Sequence, residues 1–117
     1  MRKFPPACDM QFLVGSELNL VKIARYSYQF GFLPDTNISV ESQVDYVESD
    51  AIHTYNIQDK VGTIAFTELI GEKIVKLQAA DFTLEMIFES GRMLRIISKG
   101  GANESGTIGS GDTYIVF

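Results

Sequence analysis

A chain of 117 residues has the size of one domain, and a single domain over 1–117 is the expected organisation. Its 45% hydrophobic and 21% charged residues suit a protein with a dry core, and no apolar run approaches the ~20 residues of a membrane-spanning helix. A formal charge of −5 disfavours contact with nucleic-acid phosphates, and the single cysteine, Cys8, excludes an internal disulfide.

The chain opens with MRKFPPACDMQF, where Pro5-Pro6 occupies the place in which the apolar core of a signal peptide would begin. No secretion signal is expected, and with the lone thiol this points to a reducing, cytoplasmic compartment. Gly15 is placed to stop a short helical turn before the first strand, Leu18–Arg25. Tyr26, Tyr28, Phe30 and Phe32 recur with a period of two, which predicts a strand with one aromatic, buried face. The Pro, Asp and Asn of Leu33–Asn37 supply a turn, and Ile38–Val40 returns as the next strand. Val44–Ser49 is a candidate helix despite its Val and Tyr content, followed by a strand over Ala51–Ile57.

Ala65–Ile70 then reads as a helical turn stopped by Gly71, and Ile74–Ala80 as a strand. Phe82, Leu84, Met86 and Phe88 alternate with Thr83, Glu85, Ile87 and Glu89, Ser90-Gly91 turns, and Met93–Ser98 returns. The glycine-rich tail reads as a hairpin loop before a last strand at Thr113–Phe117. It does not fit the phosphate-loop pattern G-x-x-x-x-G-K-[ST].

The second half repeats the first. At an ungapped offset of 56, Leu13, Gly15, Leu18, Val21, Tyr28, Phe30, Phe32, Ile38 and Val40 meet Leu69, Gly71, Ile74, Leu77, Leu84, Met86, Phe88, Leu94 and Ile96. Carried on without a gap, Glu48-Ser49 meets Glu104-Ser105 and Ile52 meets Ile108. Few of these pairs are identities; the match lies in which positions are apolar, as a shared core requires. The repeat units span about 12–67 and 68–117. The expected fold is mainly β: two antiparallel sheets of three to four strands each from an internal duplication, forming a sandwich or distorted barrel with one or two short helical turns.

Catalytic constellations are weak. His53 lies near Glu48 and Asp50, so a general base can be drawn there, but no nucleophile, second histidine or metal-ligand spacing accompanies it. Cys8 has Asp9 beside it, which opposes thiolate formation. The expectation is no enzyme, no metal and no cofactor. A cavity between the two aromatic faces, holding a small molecule, is the alternative function to the binding of a protein partner.

The phrases LIGEKIVKLQAADFTLEMIFESGRMLRI and NESGTI resemble a group of small β-rich bacterial domains. In that group an L-x-G segment precedes a T-L-x-x-x-F-x-x-G-x-x-L hairpin, with Glu-Ser before a final strand; here the positions are Leu69, Gly71, Thr83, Leu84, Phe88, Gly91, Leu94, Glu104 and Ser105. Some members look like immunity proteins of bacterial toxin systems, including contact-dependent growth inhibition. The resemblance implies an antitoxin that binds and blocks a toxin domain.

Charge agrees with it. Between Tyr26 and Asp59 there are six acids and no Lys or Arg. An acidic surface attracts a basic partner such as a nuclease and repels nucleic acid. The expected toxin contacts are Glu41, Asp45, Glu48, Asp50, Glu104 and Asp112, with Tyr46 and Tyr55 as anchors. A basic protein toxin domain is thus the expected partner, with no nucleic acid, no membrane, and a monomer or weak homodimer.

Overall fold

The computed structural model describes residues 3–56, 65–99 and 104–117. Among these residues ten strands form two five-stranded antiparallel sheets, one strand more than the upper expectation for each. The first unit contributes β1 (Glu17–Ile23), β2 (Tyr28–Leu33), β3 (Thr36–Val40), β4 (Gln43–Glu48) and β5 (Ala51–Asn56). The second contributes β6 (Ile74–Ala79), β7 (Thr83–Phe88), β8 (Met93–Ile97), β9 (Gly106–Ser110) and β10 (Thr113–Val116). A short 3-10 helix precedes each set, Ala7–Leu13 and Ala65–Leu69.

The sheets do not correspond to the units. The first sheet runs β1-β2-β3-β9-β10 and the second β5-β4-β8-β7-β6. Each unit keeps its three leading strands and gives its last hairpin to the other. Ile38 faces Ile108 across β3 and β9, and Leu94 faces Tyr46 across β8 and β4. Tyr46 and Ile108 are therefore equivalent, 62 positions apart, whereas Ile38 and Leu94 are 56 apart. The ungapped pairing of Glu48-Ser49 with Glu104-Ser105, and of Ile52 with Ile108, is thereby corrected. The connection from β8 to β9 is six residues longer than that from β3 to β4.

A pseudo-twofold relationship is visible in the backbone. Gly15 N–H donates to the Ile74 carbonyl and Gly71 N–H to the Leu18 carbonyl, each at 2.7 Å. Leu18 N–H donates to Glu72 and Ile74 N–H to Ser16, each at 3.0 Å. Between these pairs Glu17 and Lys73 form an isolated antiparallel bridge. Gly15 and Gly71 have φ of 90° and 97°, a region costly for residues with a Cβ, so each lets the chain leave its 3-10 turn and enter a strand. β1 and β6 also bulge at equivalent places, between Leu18 and Leu20 and between Ile74 and Lys76.

The predicted alternation sets the core. Tyr28, Phe30, Phe32, Ile38 and Val40 of the first sheet face Leu84, Met86, Phe88, Leu94 and Ile96 of the second, all buried. Phe66 from the second 3-10 helix lies 5.2–5.8 Å, ring centre to ring centre, from Tyr28, Phe30 and Tyr55, so aromatic rings occupy the space between the faces. Tyr26 departs from the expectation. It is 66% exposed because it lies in the turn that Ala24 N–H closes onto the Ser27 carbonyl, and Arg25 stacks over its ring. Val44–Ser49 is not helical: Val44 and Tyr46 point inward from β4, whose neighbours β5 and β8 satisfy its backbone. The glycine-rich tail is not a loop throughout, since Gly106–Ser110 is the strand β9. No helix among the described residues is long and apolar enough to cross a membrane.

Candidate functional site

Strand pairing brings the turns of each sheet to one end. In the first sheet the start of β1, the β2–β3 turn and the β9–β10 turn adjoin, because Glu17 faces Leu33 and Thr36 faces Ser110. In the second, the start of β6 adjoins the β7–β8 and β4–β5 turns, because Ile74 faces Phe88 and Val47 faces Met93. The Glu17–Lys73 bridge joins these two ends. They carry Glu17, Asp35, Glu48, Asp50, Glu68, Glu72, Glu89 and Asp112, eight carboxylates, against Lys73 and Arg92. The rest of the sequence holds seven acids and eight bases, so the net charge resides in the turn ends.

Arg92 is tied down among these acids. Its Nη1 donates to Glu68 Oε2 at 3.2 Å and to the Tyr46 hydroxyl at 3.0 Å, its Nε donates to Ser90 Oγ at 3.0 Å, and its Nη2 bonds Glu72. Burial disfavours charge on both Arg92 and Glu72. Bonds from Ser90 and Arg92 nevertheless hold Glu72 below its ordinary value, while Glu72 and Tyr46 hold Arg92 above its own. The guanidinium therefore offers little free positive charge to solvent. It borders a shallow groove of about 530 Å³ whose opposite wall carries Glu48 and Asp50.

Of the residues expected from sequence, the structure gathers Glu48 and Asp50 on the β4–β5 turn and places Asp112 on the β9–β10 turn. Asp112 and Asp50 are pseudo-twofold equivalents, since Thr113 faces Ser110 as Ala51 faces Glu48. Glu41 and Glu104 lie together at the opposite end, where Glu41 N–H donates to the Ser105 carbonyl. Three expected contacts are withdrawn from the surface. Asp45 is 5% exposed and held by Arg95, at 3.5 Å, and by the Gln43 amide, at 3.0 Å. Tyr46 is fully buried on the inner face of β4, with its hydroxyl donating to Glu48 Oε1 at 3.1 Å. Tyr55 is 6% exposed; its hydroxyl accepts a bond from Ala65 N–H, and its ring packs edge-on against Phe66.

Sequence reading overlooked Leu33, Ile52 and Ile70, large apolar side chains 45%, 61% and 47% exposed beside the acidic turns. It also left out Asp35, whose signal was its place in a Pro-containing turn. His53 lies 3.4 Å from Glu48, and its ring stacks at 5.9 Å on Tyr46. No group of three or more His, Cys, Asp or Glu side chains among the described residues is arranged to hold a metal ion. Comparison of the chain with protein families, with curated proteins and with solved structures finds no match.

Proposed function

We propose that this protein is an immunity protein: it binds a basic bacterial toxin domain, a nuclease by charge logic, and blocks it with the acidic turn ends of the two sheets. The observation that carries the reading is the segregation of eight carboxylates against two bases at those ends, one of the bases already bonded to two of the acids. A concentrated field of this sign accelerates encounter with a cationic surface and discriminates among partners. Affinity comes from apolar anchors, a role that the exposed Leu33, Ile52 and Ile70 can fill and the buried Tyr46 and Tyr55 cannot. A specific interface needs about 800 Å² from each partner. That is about an eighth of the total surface of 6243 Å².

The test is binding to the purified toxin encoded beside this gene, measured across a salt series. The expected result is a stable complex whose association rate falls steeply with ionic strength. A complex indifferent to salt, or none, overturns the reading.

A further inference from the structure

The pseudo-twofold relationship allows the outer faces of the two sheets to be compared position by position. In the second sheet one cross-strand row reads Lys76, Ile87, Met93, Val47, Ile52. Its counterpart in the first sheet reads Leu20, Gly31, Asn37, Gly109, Tyr114. Three bulky side chains are replaced by an amide between two glycines. The next row repeats the contrast. Glu85, Arg95 and Asp45 form an ion-paired triad, with Arg95 Nε donating to Glu85 at 2.9 Å; the equivalent residues are Gln29, Ser39 and Thr107, none charged.

The result is a depression of about 320 Å³ on the first sheet, walled by Tyr114 and floored by Asn37, Ser39, Thr107 and Gly109. That volume lies at the small end of the roughly 300–1,000 Å³ range of ligand sites. Tyr114 is 69% exposed, the most of any large hydrophobic residue described. Asn37, Ser39 and Thr107 make no side-chain hydrogen bond to the described residues, so donors and acceptors stand open beside a bare aromatic ring.

We infer that this depression binds a neutral saccharide. A pyranose has one face of C–H groups that packs on an aromatic ring and a rim of hydroxyls that both donate and accept. Tyr114 supplies the ring, and Asn37, Ser39 and Thr107 supply partners for the hydroxyls. Other ligand classes fit less well. No charged side chain lines the depression to pair with a charged ligand, and an apolar one would strip water from three polar side chains without replacing their hydrogen bonds. A nucleotide would bring phosphate to a chain of net charge −5. The depression lies on the outer face of the first sheet, next to the turns that carry Asp35 and Asp112, but its argument does not rest on the immunity reading.

The experiment is a titration of the isotope-labelled full chain with a panel of neutral oligosaccharides (cello-, chito-, malto-, manno- and xylo-hexaoses), followed by amide chemical shifts into the millimolar range. The expected result is saturable shifts at Asn37, Ser39, Gly109 and Tyr114 with at least one sugar. Tyr114→Ala then weakens binding roughly tenfold. Gly109→Val restores the residue type of the equivalent Val47 and abolishes binding; a Cβ there meets no atom within 4 Å, so the fold tolerates it. No shift with any sugar, shifts on another face, or a Gly109→Val protein that binds like the parent would each overturn the assignment.

Discussion

The ring of Phe117 lies over Gly106. A Cβ on Gly106 would stand 2.5 Å from the Phe117 ring and 2.1 Å from the Ser39 carbonyl oxygen, closer than atoms pack. The equivalent position in the other sheet is Val44, so the absence of a side chain at 106 is what admits the ring. Phe117 then stacks on Phe4 at 4.5 Å. Gly106→Ala is expected to destabilise the fold by about 3 kcal/mol, through forced displacement of strand or ring. Phe117→Ala is expected to cost about 3–5 kcal/mol by opening a cavity. Urea unfolding of both variants measures these losses; a Gly106→Ala protein as stable as the parent would show that the strand yields freely.

Removing Arg92 should be felt in the fold. Arg92→Ala leaves Glu72, with a side chain only 19% exposed, without its cation, and takes a donor from Tyr46. The expected loss is about 2 kcal/mol, in the range for hydrogen bonds to charged groups. Tyr46→Phe keeps the ring and loses only the hydroxyl, with an expected loss of about 1 kcal/mol. Denaturant midpoints compared at one pH give both values.

Stability should fall at both pH extremes. Glu72 is held below its ordinary value of 4.5, so its contribution is complete above that value and fades as pH falls through the lower folded-state value. Glu72→Gln should lose that part of the acid dependence. Tyr46 is pushed above 10.0 by burial, with Arg92 opposing and Glu48 reinforcing. Its contribution is complete below 10.0 and is lost as pH rises through the higher folded-state value. Thermal melts across pH, repeated on Glu72→Gln and Tyr46→Phe, separate the two limbs.

Reversing charge at the turn ends should slow capture of the partner. Glu48→Lys, Asp50→Lys and Asp112→Lys combined should lower the association rate with the basic toxin domain by about tenfold or more at low salt. Glu41→Lys with Glu104→Lys, at the opposite end, should change it little. Stopped-flow mixing distinguishes the sets, and equal effects from both would point to net charge and not to the turn ends.

The strands with clear alternation were legible in the sequence because each carries its own inward row, as in Tyr28, Phe30, Phe32 and Leu84, Met86, Phe88. β9 was not, because Gly106, Gly109 and Ser110 have little intrinsic strand preference and are extended by their neighbours β3 and β10. β4 was misread for the related reason that its Asp45 looks solvated until Arg95, fifty positions away, is found beside it. Which hairpin completes which sheet is decided by pairing between distant segments, and nothing local in β3 or β8 declares it. The acids at the turns were counted along the chain by sequence reading, whereas the fold sorts them by sheet end. That sorting brings Asp35 and Asp112 onto adjoining turns of one sheet and leaves Glu41 behind.

The exchanged hairpins also govern the order in which the molecule can be assembled on a ribosome. When β3 emerges, its neighbour β9 lies more than sixty residues from being made, whereas β8 begins 45 positions after the end of β4. The second sheet, β4 to β8, is contiguous in the chain and can be finished first, whereas the first sheet cannot close until β9 and β10 are made. Completion of the first sheet therefore awaits the β9–β10 hairpin, and until then the nascent polypeptide presents the β1-β2-β3 ribbon with an open rim at β3 that a chaperone would recognise.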